Sequence, residues 1–147
     1  MILKEYLKKR DLKKLDESKG ELKKSKQKIF VIQEHHASHL HWDFRLEMNG
    51  VLKSWAVPKE PPMKKGIKRL AIQVEDHALS YANFQGEIKE GYGKGKVFIW
   101  DNGTYELIKK SEKEIEIELH GKKLKGKYIL VKTKFRDDGK SWLWFKG

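Results

Sequence analysis

From Lys28 onward, the sequence consists of short runs rich in Val, Ile, Phe and Trp, separated by turn residues about every eight to twelve positions. This spacing is typical of an all-β sandwich or barrel, and no long amphipathic helix interrupts it. Closure into a barrel would leave no exposed strand edge. We therefore predict a small closed β-barrel of about eight strands, formed as one domain by residues 28–147. The predicted strands are residues 28–33, 40–48, 51–57, 69–75, 96–100, 104–109, 114–119, 127–134 and 141–146.

Turn residues mark several of the connections. Asn49-Gly50 is a strong signal for a tight hairpin between the second and third strands. Three prolines within residues 58–62 predict a loop, and Asp-Asn-Gly at 101–103 and Asp-Asp-Gly at 137–139 predict turns. The glycine-rich segment 91–95 looks like a phosphate cradle, but it lacks the strand-to-helix context of one, so we interpret it as a flexible turn.

The first 27 residues differ in texture from the rest. Apolar residues are sparse among lysines, and residues 17–27 are almost entirely polar. This composition predicts a basic N-terminal arm over residues 1–27, with one short helix and a flexible linker.

Charge and cysteine content narrow the class of function. The chain has 33 Lys and Arg against 21 Asp and Glu, a formal charge of +12 that favours polyanions such as nucleic acid. The alternative is a lysine-rich thermophilic surface. With no cysteine, any metal must be held by imidazole and carboxylate groups. No 18-residue apolar run or signal peptide is visible, so we expect a cytoplasmic protein without membrane contact.

The most informative segment is residues 33–47, in which apolar and polar residues alternate. One face of the predicted strand is apolar, and the other carries the polar groups. The apolar positions are Leu40, Trp42, Phe44 and Leu46, and the polar ones are His39, His41, Asp43, Arg45 and Glu47.

The polar face is suited to hold one divalent ion. Neighbours on one face of a strand are about 7 Å apart, so His41 and Asp43 can reach the same ion. A third ligand can come from His35 or His39, which would leave positions open for water and substrate. Arg45, one step further along, offers a guanidinium fork for phosphate oxygens.

The alternative is a solvent-facing strand that merely contains histidines. Against it, four of the six histidines fall within residues 35–41, beside Asp43 and Arg45. Such a concentration of ligand types favours a functional site.

Further candidates lie downstream. His77 could donate to a phosphoryl oxygen or protonate a leaving oxygen, and Arg69 could add positive charge. Lys59 could reach a phosphate, although a solvated surface role suits it equally. The tryptophans are interpreted as core residues rather than base-stacking platforms.

Taken together, these residues resemble the 3′-phosphoesterase domain of bacterial DNA ligase D over essentially the whole chain. The segments that carry the resemblance are Gln33-x-His35-x-Ala37-x-x-x-His41-Trp42-Asp43-Phe44-Arg45-Leu46-Glu47, residues 50–59, Lys68-Arg69-Leu70-Ala71, Val74-Glu75-Asp76-His77 and Gly91-x-Gly93-x-Gly95. Trp42 departs from the pattern, since a tyrosine is common at that position.

The resemblance implies a compact β-barrel and a manganese-dependent activity on DNA or DNA/RNA primer-template 3′ ends. That activity would remove a 3′-terminal ribonucleoside and then the remaining 3′-phosphate, leaving a 3′-hydroxyl for repair or ligation. A separate ligase and polymerase would be its partners. The imidazole and carboxylate ligands themselves also admit Co²⁺, Zn²⁺ or iron.

The resemblance also assigns roles to individual residues. The metal ligands would be His35, His41 and Asp43, and the contacts to the scissile phosphate would be Arg45 and His77. Tyr81 matches a further active-site position, and Gln33, Lys59, Arg69 and Glu75 match supporting ones. In the arm, Arg10, Asp11 and Glu17 match residues that would fold it over the site.

Two rival functions remain at this stage. One is a non-catalytic nucleic-acid-binding barrel, for which basic charge and aromatic residues suffice. The other is a cupin-like metalloenzyme acting on a small molecule, which would need a second ligand cluster late in the chain. For the phosphoesterase, the sequence does not choose between water and a ribose 2′-hydroxyl as the attacking group.

Overall fold

The computed structural model describes residues 28–91, 94–134 and 139–147. They form nine strands and one short 3₁₀ helix. The strands are β1 (Lys28–His36), β2 (Leu40–Met48), β3 (Val51–Val57), β4 (Lys68–His77), β5 (Gly86–Ile88), β6 (Gly95–Lys110), β7 (Glu114–Gly121), β8 (Lys125–Lys132) and β9 (Ser141–Lys146), and the 3₁₀ helix spans Leu79–Asn83. The predicted arm, residues 1–27, lies outside the described residues.

All strand pairings in the sheet are antiparallel, and the sheet closes on itself. The order is β1-β2-β3-β4-β9-β8-β7-β6, and pairing of β1 with β6 completes a ring of eight strands. The short β5 pairs with the beginning of β6, where β7 does not reach. The prediction of an all-β fold built on a closed barrel of about eight strands is confirmed.

The barrel interior is filled by alternate side chains of the strands. Phe44 stacks on Trp144 with ring centroids 4.1 Å apart, and Trp55 packs edge-on against Trp142. These side chains are buried, as are the aliphatic residues of β7 and β8 around them. Removal of one such aromatic ring costs about 3–5 kcal/mol, so this cluster accounts for much of the fold's stability.

A second apolar cluster lies outside the barrel. Leu79 and Ala82 of the 3₁₀ helix pack on Val31 of β1 and Leu52 of β3. The helix therefore covers part of the outer face of β1–β3, so polar residues on that face are also shielded from water. For this reason Asp43 and Arg45 are buried, although alternation alone predicts a solvent-facing polar strand face.

The predicted turn at 101–103 is wrong, because β6 runs unbroken through it. Asp101 is buried, and its carboxylate accepts hydrogen bonds from the backbone amides of Lys122, Lys123 and Leu124. It thereby holds the β7–β8 turn. At Gly103, a Cβ would lie 2.1 Å from the His120 carbonyl oxygen, so glycine permits close strand approach there. Asp101 and Gly103 therefore do not form a turn themselves: Asp101 stabilises the β7–β8 turn, and Gly103 allows β6 and β7 to approach closely.

Of the other predicted turns and strand bounds, some are confirmed and some are wrong. The Asn49-Gly50 hairpin is confirmed: both residues have positive φ, 53° and 82°, and β2 and β3 have the predicted bounds. The strand β5 was not predicted, and β8 ends at Lys132 rather than at residue 134. The predicted 137–139 turn and the glycine-rich segment 91–95 lie partly outside the described residues. Within the described parts of the chain, no helix is long and apolar enough to cross a membrane.

Candidate active site

The site is built on the hairpin formed by β1 and β2. In its register, His35 lies opposite His41 and Gln33 lies opposite Asp43. Residues paired in this way point to the same side of a sheet. The hairpin therefore places two imidazoles, one carboxylate and one amide next to each other on the outer face of the barrel.

Three of these side chains converge on one point. Oδ2 of Asp43 lies 3.5 Å from Nδ1 of His35 and 3.3 Å from Nε2 of His41. The three ligand atoms all lie within 4.8 Å of one another. Ligands bound to one ion at about 2.0–2.2 Å are roughly 3–3.6 Å apart, which is close to this spacing.

The orientation of His41 also suits a metal ligand. Its Nδ1 lies 3.1 Å from the His39 carbonyl oxygen, to which it can donate a hydrogen bond. Nε2 then can bind an ion beside Asp43 when the ring is neutral, and it donates to the Asp43 carboxylate when the ring is protonated. A histidine that donates its other ring N–H to a backbone carbonyl is the usual arrangement at metal sites. The residues present thus fit a divalent ion.

The electrostatics of the cluster follow from the same contacts. Burial alone would raise the pKa of Asp43, but hydrogen bonds from His35 and His41 and the charge of Arg45 hold it well below its usual range. The hydrogen bond to Asp43 raises the pKa of His41. The carboxylate is therefore ionised at neutral pH and attracts a proton or a cation to the cluster.

Arg45 is buried beside this cluster and held from several sides. Its Nε donates to Gln33 Oε1 at 2.7 Å, and its Nη1 donates to Ser54 Oγ at 2.8 Å. Its Nη2 lies 3.5 Å from Asp43 Oδ2, and its guanidinium carbon is 4.9 Å from the centre of the Tyr81 ring. Burial lowers the pKa of Arg45 and Asp43 opposes that shift, so the guanidinium stays charged in a fixed orientation.

His77 reaches the site because β4 contains a bulge. Ser54 pairs with Val74, but Leu52 pairs with His77, so β4 has one extra residue between these points. Side chains alternate along a strand, and the extra residue therefore turns His77 to the face that carries Arg45. Without the bulge, Asp76 would occupy that place; instead it pairs with Lys53 at 3.1 Å.

The protonation state of His77 is set by burial and by Arg45. Nη1 of Arg45 lies 3.1 Å from Nδ1 of His77, and that nitrogen is also 3.1 Å from the Glu75 carbonyl. One nitrogen cannot donate to the carbonyl and accept from the guanidinium at once, and the fixed charge favours acceptance. Burial and then Arg45 lower the pKa of His77. The ring is thus neutral at pH 7, with Nε2–H as its free donor.

Tyr81 completes the wall of the site. Its ring lies 5.0 Å from that of His77 and stacks on Phe84 at 5.1 Å. The Gln33 amide fixes this segment, since its Nε2 donates to the Tyr81 carbonyl at 2.8 Å and lies 3.3 Å from the Phe84 carbonyl. Burial raises the pKa of Tyr81, so its hydroxyl keeps its proton as a donor.

The remaining predicted residues are placed less centrally. Lys59 is exposed just after β3, and Glu75 is exposed on β4. Arg69 donates from Nε to the Glu60 carbonyl at 2.7 Å, which ties β4 to the proline loop. His39, the alternative third ligand, is exposed and lies outside the His35–His41–Asp43 group. Arg10, Asp11 and Glu17 lie outside the described residues.

Ser54 is absent from the site residues that the sequence predicts. Its hydroxyl accepts from Arg45 and donates to the Leu52 carbonyl at 3.0 Å, so it links the arginine to β3. The sequence offers one signal: Ser54 and Lys53 are the two polar residues in the apolar strand β3, and Ser54 is the smaller. In the structure, Ser54 lies opposite Arg45 in the register.

One further group of potential ligands occurs in the described residues. Glu106, Glu118 and His120 lie on β6 and β7, and all three are exposed. His120, one residue beyond the predicted strand 114–119, lies in β7 and is 3.0 Å from Glu106. Surface ion pairs explain this group, whereas His35 and Asp43 are buried against a buried arginine.

Comparison with known proteins supports the resemblance seen in the sequence. A family model described as the DNA Ligase D 3′-phosphoesterase domain matches residues 33–132. This match contains β2–β4, the 3₁₀ helix and the last four residues of β1, and with them His35, His41, Asp43, Arg45, His77 and Tyr81.

Three relatives illustrate the similarity. The multifunctional non-homologous end joining protein LigD of Pseudomonas aeruginosa is 44% identical over 153 residues, covering 97% of this chain and 18% of that protein. The LigD protein of Mycobacterium tuberculosis is 50% identical over 119 residues, covering 78% and 15%. That of Mycolicibacterium smegmatis is 48% identical over 126 residues, covering 78% and 16%. The chain thus spans less than a fifth of the length of these relatives.

Proposed function

The chain belongs to the DNA ligase D 3′-phosphoesterase family, and from this premise we propose that it is a manganese-dependent enzyme that repairs the 3′ ends of nucleic acid strands. It removes a 3′-terminal ribonucleoside and then the remaining 3′-phosphate from a primer strand. The product carries a 3′-hydroxyl that a polymerase or ligase can use.

One observation carries the proposal. The ligand atoms of His35, His41 and Asp43 lie within 4.8 Å of one another, and the guanidinium of Arg45 lies 3.5 Å from the same carboxylate. A three-ligand cluster leaves coordination positions for substrate, and a fixed guanidinium beside it matches the planar oxygens of phosphate.

A divalent ion would be held by His35, His41 and Asp43. When bound, it supplies Lewis acidity that polarises a phosphoryl oxygen. Oxygen and imidazole ligands admit manganese, cobalt and zinc alike, so the choice of manganese rests on family membership.

Arg45 binds and orients the scissile phosphate. Nη1 is used by Ser54 and Nε by Gln33, so Nη2 faces the phosphate beside Asp43. Because these partners fix the guanidinium before substrate arrives, little reorganisation is needed as negative charge develops on the phosphoryl oxygens.

His77 and Tyr81 act as neutral donors. The Nε2–H of His77 and the Tyr81 hydroxyl donate hydrogen bonds to phosphoryl or leaving-group oxygens and stabilise the negative charge that develops on them, and the leaving oxygen takes its proton from solvent. Their shifted pKa values keep both in the donor form at neutral pH. Lys59 and Arg69 add positive charge for binding of the terminal phosphate, and Glu75 is a supporting position by family resemblance alone.

Both reactions use the same contacts. In the first, the phosphodiester bond to the terminal ribonucleoside is broken and the nucleoside leaves; in the second, water displaces the 3′-hydroxyl of the strand and inorganic phosphate leaves. The group that attacks in the first step is either water, which leaves the 3′-phosphate directly, or, where the penultimate sugar is a ribose, its 2′-hydroxyl, which gives a 2′,3′-cyclic phosphate that water then opens to the phosphomonoester.

The test is a gel assay of a labelled primer that ends in a single ribonucleotide. With manganese we expect two successive shortened products, and with chelator or with Asp43→Asn we expect none. His41→Gln is a second variant at a half-exposed position, in case the buried Asp43 substitution unfolds the chain.

The matched control is His120→Ala, which removes an imidazole from the exposed group on β7. It should keep full activity. Cleavage that persists in chelator or in folded Asp43→Asn would refute the proposal, and intact strand binding without any cleavage would favour the non-catalytic barrel.

A further inference from the structure

An exposed phenylalanine lies close to the site, on the other side of the sheet. Phe98 of β6 is 48% exposed. It pairs with Glu34 of β1, one residue before the ligand His35. Successive side chains of a strand point to opposite faces. Phe98 is thus separated from the cluster by the thickness of one sheet, near the tip of the β1–β2 hairpin.

The side chains around Phe98 form a defined surface. The ring of His36 packs edge-on against Phe98 with centroids 5.5 Å apart. Trp100, two residues along β6 at the register shift between β1 and β6, is partly buried against the barrel core, and the ammonium of Lys123 lies 4.4 Å from its ring centre. We call Phe98, His36, Trp100 and Lys123 the Phe98 surface.

This surface is held in place by a buried group. Asp101 accepts the backbone amides of Lys122, Lys123 and Leu124 at 2.8–3.1 Å. The β7–β8 turn is therefore fixed with Lys123 above Trp100. The catalytic contacts described above make no use of this arrangement.

Charge on this surface suits a polyanion. Oε2 of Glu34 lies 2.6 Å from Nε2 of His36, and Glu87 of β5 lies opposite Lys96 in the register. Each of these two carboxylates therefore has a basic residue beside it. Lys123 has no carboxylate partner within 4 Å among the described residues. Since the whole chain has a formal charge of +12, we expect a positive electrostatic potential at this surface.

We propose that the Phe98 surface binds single-stranded nucleotides upstream of the 3′ end that occupies the site, with a base stacked on Phe98 and a phosphate at Lys123. An exposed aromatic ring beside a lysine is the common means of binding single strands without sequence preference. This inference rests on the proposed function only for the position of the 3′ end. The strand passes over the β1–β2 hairpin between the two faces.

The first test is a binding assay in the Asp43→Asn background, so that no turnover is needed. A short 5′-fluorescein oligo(dT) is titrated and followed by anisotropy. Loss of one base–aromatic stack is worth about 1 kcal/mol or more, so Phe98→Ala should weaken binding about fivefold or more, and Phe98→Trp should restore it.

The matched control is Ile108→Ala, which shortens an equally exposed (51%) residue on the same strand, away from the Phe98 surface. Its affinity should equal that of the parent. If Phe98→Ala binds within twofold of the parent, or if Ile108→Ala loses as much, the proposal is overturned.

A second test measures the salt dependence of the same binding. Removal of one phosphate contact on a single strand should reduce the slope of log K against log[salt] by about 0.7, and Lys123→Gln should do so. Lys113→Gln, which removes an exposed lysine from the β6–β7 turn, should leave the slope unchanged. Equal slopes for both variants and the parent would overturn the role of Lys123.

The failure of this proposal is distinguishable from that of the proposed function. In the gel assay with otherwise native protein, Phe98→Ala should raise KM about fivefold for a primer with a single-stranded 3′ segment and leave kcat unchanged. Cleavage with an unchanged KM would overturn the Phe98 surface alone. If the native protein binds the oligonucleotide in a Phe98-dependent manner but does not cleave the primer, the proposed phosphoesterase activity alone is overturned.

Discussion

Replacement of Ser54 by alanine tests whether Arg45 must be held in place. The hydroxyl of Ser54 is fully buried, accepts from Nη1 of Arg45 at 2.8 Å and donates to the Leu52 carbonyl at 3.0 Å. A hydrogen bond to a charged group contributes about 1.5–3 kcal/mol. For a chain of this size that corresponds to about 5 °C or more in melting temperature.

Ser141→Ala is the matched control. Ser141 is also buried in the barrel wall, but its hydroxyl has no hydrogen-bond partner among the described residues. Its replacement should change the melting temperature by no more than about 1–2 °C, because no hydrogen bond is lost. The difference between the two variants therefore isolates the contact to Arg45 from the effect of removing an oxygen atom.

The activity of Ser54→Ala should fall about tenfold in kcat, since the guanidinium keeps its bond to Gln33 but loses its second anchor. Thermal melting and the primer gel assay measure the two effects on the same samples. Equal melting shifts for Ser54→Ala and Ser141→Ala, or full activity of Ser54→Ala, would refute the account of Arg45.

Three further predictions concern titration, packing and metal binding. His77 should titrate below pH 6.5 in an NMR experiment. Because its pKa is lowered in the folded state, its contribution to the free energy of unfolding is present above pH 6.5 and is lost as the pH falls. The stability advantage of the native chain over His77→Gln should therefore shrink between about pH 7 and 5. Gly103→Ala should lower the free energy of unfolding in urea by about 1–3 kcal/mol, because its Cβ would meet the His120 carbonyl, and an unchanged midpoint would contradict this. Manganese at about 100 times its Kd should raise the free energy of unfolding by about 2.7 kcal/mol in the native chain and far less in His41→Gln, and equal stabilisation would contradict the assignment.

Much of the fold could be predicted because most strands are indicated by local signals, namely runs of strand-forming residues and the turn residues between them. β2 and β3 begin and end where alternation and Asn49-Gly50 indicate. The error at residues 101–103 has a long-range cause, since Asp101 binds amides that lie more than 20 residues later in the chain. Turn propensity is a local quantity and cannot reveal such a partner.

The site could be predicted in part for the same reason. His35, His41 and Asp43 belong to one hairpin, so a strand pattern suffices to bring two of them together and to suggest the third. The approach of His77 depends on a bulge in β4, and the burial of Arg45 depends on a 3₁₀ helix that starts 34 residues later. The role of Ser54 could not be predicted, because its hydrogen bond with Arg45 depends on the pairing of β2 with β3.

The most direct measurement is anomalous diffraction from crystals of the chain soaked in manganese. We expect one strong peak within bonding distance of His35 Nδ1, His41 Nε2 and Asp43 Oδ2, beside the Arg45 guanidinium. A peak only at the exposed Glu106–Glu118–His120 group, or no peak at the β1–β2 hairpin at saturating manganese, would contradict it.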